Sequence, residues 1–118
     1  MNVVILGAGM MGRAIAYDLS KFSNFDEILL GEKDSKTRAS TRRFLQETRV
    51  KVIPLDAERT SDLKNRLQKG DVIISALPYR YNYRLAQRAI QTKTHFIDLG
   101  GNNTIVENER RLFSGKKK

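Results

Sequence analysis

Residues 3–19 read VVILGAGMMGRAIAYDL, and the fold follows from the way this stretch changes its period. Val3, Val4, Ile5 and Leu6 are continuously apolar and mostly β-branched, as in a strand buried on both faces. Around Gly12 the apolar positions become Met11, Ala14, Ile15 and Leu19, one face of a helix. A buried strand therefore feeds a helix through a glycine-rich turn. Each glycine has its own task there: Gly7 permits the tight turn, Gly9 lets bare backbone approach a pyrophosphate, and Gly12 lets the helix pack against the strand. The helix then aims its unpaired N–H groups and the positive end of its dipole at the phosphates.

Gly-x-Gly-x-x-Gly alone is a weak signal, and the alternative is an ordinary strand-to-helix turn. Context strengthens it. The motif follows a strand, opens a helix, and precedes an acidic residue, Glu32, which lies twenty positions beyond Gly12 at the end of a second apolar run. A carboxylate there can accept hydrogen bonds from both ribose hydroxyls of an adenosine, which favours NAD, because a 2′-phosphate would meet like charge. Lys33, with Lys36 and Arg38 just beyond, can hold a 2′-phosphate, so NADP stays open as the second cofactor.

At 118 residues the chain is one domain with room for a core. It has no cysteine, which excludes disulfides, thiolate metal sites and a cysteine nucleophile, and no metal site is expected. The N-terminal apolar run is too short for a membrane span and lacks the basic lead of a signal peptide, so a cytoplasmic protein without membrane contact is expected. The net charge of +9 pulls toward nucleic acid. Yet there is no helix-turn-helix spacing, no zinc ligand set and no aromatic-basic ribonucleoprotein pattern. Specific nucleic-acid recognition is therefore not expected.

In order, strands are expected at Asn2–Leu6, Asp26–Gly31, Val50–Ile53, Asp71–Ser75 and Thr94–Asp98, and helices at Met10–Lys21, Ser35–Thr48 and after Thr60. The helix after Thr60 carries Leu63 and Leu67 and ends at Gly70. Ala39, Phe44 and Leu45 are the apolar anchors of the second helix. Alternation of strand and helix predicts an α/β, doubly wound parallel sheet of order 3-2-1-4-5 in three layers, with ligand in the crevice where the order reverses. At that edge Asp56-Ala57 can reach an adenine, although Asp56 also suits a turn cap. Ala76 and Leu77 line the cofactor's path, and Pro78 stops the strand. Tyr79 to Arg84 then open a packing helix carrying Leu85, Ala86, Ala89 and Ile90. His95 lies at the end of its strand away from the crevice and is a poor catalytic candidate. Asp98 faces the reacting end, beside Gly100 and Gly101, or else ties that glycine turn by hydrogen bonds. A last helix is expected from Thr104 to Phe113, with Ile105, Val106 and Leu112, closing a domain over 1–113 before a flexible basic tail at 114–118.

Three stretches, GAGMMGRAIAYDL (7–19), DVIISALPYRYN (71–82) and HFIDLGGNN (95–103), together resemble the saccharopine dehydrogenase-like family, especially its lysine dehydrogenase branch. The resemblance implies a Rossmann-type, NAD(P)-binding half of an oxidoreductase acting at the amine carbon of a lysine-type amino acid. It places Gly7, Gly9, Met10, Met11 and Gly12 on the pyrophosphate and Glu32 on the ribose. Asp56 and Ala57 fall on the adenine side, and Ala76, Leu77, Pro78 and Asp98 on the nicotinamide side. No catalytic acid or base is identified. Family members are longer and carry a second, substrate-binding domain. The 118 residues are thus expected to bind dinucleotide with little turnover alone, to be completed by a missing or separately encoded substrate domain, and to self-associate as a homo-oligomer. A stand-alone binding or redox-sensing module is the competing expectation.

Overall fold

The most apolar run becomes the middle of the sheet. In the computed structural model, which describes residues 1–59, 61, 71–99 and 108–112, β1 (Asn2–Leu6) pairs with parallel partners on both sides. These are β2 (Glu27–Glu32) and β4 (Val72–Ser75), while β3 (Val50–Pro54) and β5 (His95–Asp98) lie outermost. The order is β3-β2-β1-β4-β5, all parallel. Because side chains alternate across a strand, Val3 and Ile5 join Ile28, Leu30, Val52 and Ile74 on one face. Val4 and Leu6 join Leu29, Ile73, Leu85 and Ala89 on the other. Helices α1 (Met10–Phe22) and α2 (Ser35–Phe44) cover the first face. Helix α3 (Asn82–Thr92) covers the second, giving three layers.

Two helical faces differ from expectation. On α1 the buried residues are Gly12 and Ala16, flanked by half-buried Ile15 and Leu19, while Met11 and Ala14 point to solvent. Small residues one turn apart let the helix axis approach the sheet, and that close seam outranks the larger Met11. On α2 the inward residue is Thr41, followed one turn later by Leu45, whereas Ala39 and Phe44 are exposed. Thr41 can be buried because its hydroxyl donates to the Thr37 carbonyl at 2.6 Å, within its own helix. Phe44 instead meets the ring of Tyr17 on the surface, 6.4 Å between centroids.

Helix α2 also ends at Phe44 rather than Thr48. There the Thr48 hydroxyl and amide both donate to the Leu45 carbonyl and close a turn. It starts on Asp34, whose carboxylate accepts the Thr37 N–H at 2.8 Å as an N-cap. The expected helix with Leu63, Leu67 and Gly70, the Gly100-Gly101 turn, Ile105 and Val106, and the 114–118 tail lie outside the described residues. Residues 108–112, inside the last expected helix, are helical.

Candidate functional site

The carboxyl ends of the strands form a rim in which Glu32 is level with Pro54, Leu6 with both Gly31 and Ser75, and Ser75 with Asp98. Gly7 leaves β1 with φ +97°, a left-handed conformation that disfavours any side chain. Its N–H donates to the Gly31 carbonyl at 2.9 Å. A Cβ there would also press on the Ala76 carbonyl and Leu77 at 3.1 Å. At Gly12 an added Cβ would lie 1.8 Å from the Gly7 carbonyl oxygen, so turn and helix are in backbone contact. At Gly9 a Cβ would meet nothing within 4 Å. Gly9 thus leaves bare backbone facing open space where α1 begins. The first turn of α1 has no side-chain cap and no acidic residue. Met10 and Met11 stand exposed on it, 86% and 53% respectively.

Glu32 is the last residue of β2, at the C-terminal end where it is expected. Its Oε1 accepts the Ala8 N–H at 3.0 Å and its Oε2 the Asp34 N–H at 3.1 Å. A carboxylate accommodates about four hydrogen bonds, so each oxygen keeps a lone pair for a ribose hydroxyl. Lys33 is exposed beside it. Arg38 reaches back from α2, and its Nη1 donates to the carbonyls of Glu32 (2.9 Å) and Lys33 (2.8 Å). A guanidinium is therefore fixed under the acidic end of β2.

Two contributors escaped the sequence reading. Arg13 Nε donates to the Ala8 carbonyl at 2.9 Å and its Nη2 to Ser40 Oγ at 2.6 Å, tying the glycine turn to α2. No spacing signals this, since the two partners lie on opposite sides of β2 in the chain. Ser75, buried at the end of β4, donates to Asn82 Oδ1 at 2.9 Å and so seats the first residue of α3.

Asp56 caps its own turn, accepting the Glu58 N–H at 3.0 Å, as the turn reading of this residue expects. Ala57 lines a cavity of about 180 Å³ shared with Tyr81, Arg84, Leu85 and Arg88, which brings the turn after β3 together with the start of α3. Tyr81 packs on the second core face and donates its hydroxyl to Glu58 at 3.0 Å. Ala76 and Leu77 are half-buried on the rim, the Ala76 N–H bonded to the Leu6 carbonyl at 2.8 Å. Pro78 is exposed and opens the 3-10 turn Tyr79–Tyr81. Asp98 closes β5 opposite Ser75. The carboxyl of Glu109 is pushed up to about 8 by burial, then by the hydrogen bonding and charge of Asp98. His95 is exposed at the far end of β5. Among the described residues no group of three His, Cys, Asp or Glu could hold a metal, and no helix is long and apolar enough to cross a membrane.

The family model for the saccharopine dehydrogenase NADP binding domain matches residues 3–115. The chain is 27% identical over 96 residues to saccharopine dehydrogenase [NADP(+), L-glutamate-forming] of Saccharomyces cerevisiae, covering 81% of this chain and 21% of that protein. It is 40% identical over 75 residues to shikimate dehydrogenase (NADP(+)) of Pyrococcus abyssi, covering 64% and 24%. The apo structure of saccharopine dehydrogenase (L-Glu forming) from S. cerevisiae superposes with a TM-score of 0.73 at 23% identity, covering 90% of this chain and 23% of that one. The chain thus spans about a fifth to a quarter of the length of these relatives.

Proposed function

The chain belongs to the saccharopine dehydrogenase NADP-binding domain family, and from that premise we propose that it binds a nicotinamide dinucleotide, with NAD(H) preferred. The observation that carries this is the open backbone at Gly9, next to Ala8, whose N–H the Glu32 carboxylate accepts. In this reading Gly7, Gly9 and Gly12, with Met10 and Met11, frame the diphosphate, and Glu32 takes the ribose hydroxyls. The base enters the cavity beside Ala57, next to Asp56. The nicotinamide lies toward Ala76, Leu77, Pro78 and Asp98. Bound there, the cofactor supplies a hydride acceptor for the amine-bearing carbon of a lysine-type amino acid. That substrate needs walls at near-attack distance in a water-poor space, which a further domain or a separate polypeptide provides. A cytoplasmic homo-oligomer is part of the same proposal.

NADP is favoured by one structural feature, the Lys33 and Arg38 cations at the end of β2, and by the similarity to an NADP-binding domain family and to two NADP(+)-linked dehydrogenases. Titrating NADH and NADPH while following thermal unfolding separates the two, since a ligand that binds only the native state raises the melting point by mass action. A larger rise with NADH supports the reading, a larger rise with NADPH reverses the preference, and no rise with either refutes dinucleotide binding. Adding a downstream substrate polypeptide and lysine is expected to start NADH formation. Binding without such activity identifies a stand-alone module.

A further inference from the structure

The seam between α1 and α2 carries charges and rings that the dinucleotide reading leaves unused. Arg13, Tyr17 and Lys21 stand one helical turn apart on α1, and Lys36, Ser40 and Phe44 repeat that spacing on α2. Two contacts join the rows: Arg13 Nη2 donates to Ser40 Oγ at 2.6 Å, and the Tyr17 and Phe44 rings lie 6.4 Å apart. Both rings are open to solvent, Tyr17 at 45% and Phe44 at 56%. Lys21 Nζ lies 5.6 Å from the centre of the Tyr17 ring, and Arg43 is exposed beside Phe44. Arg49 is anchored on the carbonyls of Ser20, Ser23 and Phe25, around the end of α1. Among the described residues none of Arg13, Lys21, Lys36, Arg43 and Arg49 forms an ion pair. Carbonyls and hydroxyls orient a guanidinium without cancelling its charge. Acids are sparse here: α2 contains none, α1 has Asp18, and Glu47 follows α2. Asp34 is engaged as the α2 N-cap and Asp26 is paired with the Met1 amine, so Lys36 and Arg49 act on them through space without contact.

We propose that this seam is a sequence-independent binding surface for single-stranded nucleic acid, in which Lys36 and Arg13 at one end and Lys21, Arg43 and Arg49 at the other hold phosphates while an unpaired base stacks on Phe44. Eight residues of helix span about 12 Å, the reach of a few nucleotides. The rings decide among polyanions. A duplex keeps its base faces stacked inside, and an acidic peptide has no planar face to offer, so neither uses an exposed phenyl ring flanked by cations. Stacking accepts any base and cations hold the backbone, so the surface reads no sequence. That matches a chain without the motifs of specific recognition. The surface works whether or not the crevice at the strand ends holds a dinucleotide.

Fluorescence anisotropy of the 118-residue chain with a labelled oligothymidylate of about 15 nucleotides tests it. Affinity is expected to fall with salt between about 50 and 200 mM, with a log–log slope of about −3, and to become about 0.7 shallower with each of Lys21→Gln and Arg43→Gln. Phe44→Leu should weaken binding about fivefold or more, and Phe44→Trp should preserve it, since a ring and not mere apolarity is needed. All four positions changed are on the surface, and melting curves confirm that each variant folds. Arg80→Gln, which alters the cation stacked on Tyr81 at the crevice side, should leave binding unchanged. No binding to the oligonucleotide, or equal affinity for Phe44→Leu and wild type, overturns the proposal. So does a duplex of the same length or poly-glutamate that binds as tightly, because the partner is then any polyanion or an acidic protein. Displacement by saturating NADH also overturns it, by placing the strand in the crevice instead of on the seam.

Discussion

The carboxylate of Glu32 accepts the backbone N–H of Ala8 at 3.0 Å, so the end of β2 and the glycine turn form one hydrogen-bonded unit. A ribose placed on that carboxylate meets a group whose position is already set by the turn. Replacing Glu32 by Ala is expected to raise the NADH dissociation constant about tenfold, the equivalent of one charge-assisted hydrogen bond, and to change NADPH binding much less. Fluorescence titration with both ligands checks it, and equal loss for both removes the ribose assignment.

Gly9 and Gly12 are expected to behave oppositely. A methyl at Gly12 would sit 1.8 Å from the Gly7 carbonyl oxygen, which backbone alone can relieve, so Gly12→Ala should destabilise by about 1–3 kcal/mol or more. Gly9→Ala meets no neighbour and should stay within about 0.5 kcal/mol of wild type. A bulkier Gly9→Val should nevertheless abolish the ligand-induced rise in melting point. Urea denaturation with and without NADH reads both effects.

Arg13→Ala removes two hydrogen bonds that run in different directions, to the Ala8 carbonyl and to Ser40. A cost of about 1.5–3 kcal/mol in chemical denaturation is expected. Arg13→Lys should recover little of it, because a single ammonium on a flexible stem does not reproduce the planar fork.

Asp34 is held below the usual carboxylate range by the side-chain and backbone hydrogen bonds of Thr37, then by the nearby charges of Lys36 and Arg38. A depressed folded value means that its stabilisation is present above the open-chain value of 3.8 and disappears as pH falls below it. Asp34→Ala should therefore melt below wild type at pH 7, with the two curves converging in acid. Circular dichroism melts from pH 2 to pH 7 measure the convergence.

What could be read from the chain was whatever local chemistry decides alone. The apolar run at Val3–Leu6 and the shorter runs at Ile28–Leu30 and Val72–Ile74 are too continuous for anything but buried parallel strands, and their alternation with helices leaves one economical order. The turn at Gly7 and the backbone contact at Gly12 were likewise legible from spacing. The inward faces of α1 and α2 were not. Apolarity pointed to Met11 and Phe44, but closeness of approach selected Gly12 and Ala16, and internal hydroxyl bonding made Thr41 admissible inside. Arg13 was invisible for a different reason. It takes its role from a partner distant in sequence, Ser40.

The pairing of Val3 with Ile28 on one side and Val72 on the other carries a consequence for biosynthesis. β2 reaches β1 early, but the strand that completes the opposite flank is encoded far downstream. At about 5–20 residues per second the ribosome leaves that flank bare for several seconds, with hydrophobic side chains on both sides of it. A nascent chain halted before residue 72 should thus be the species that chaperones capture.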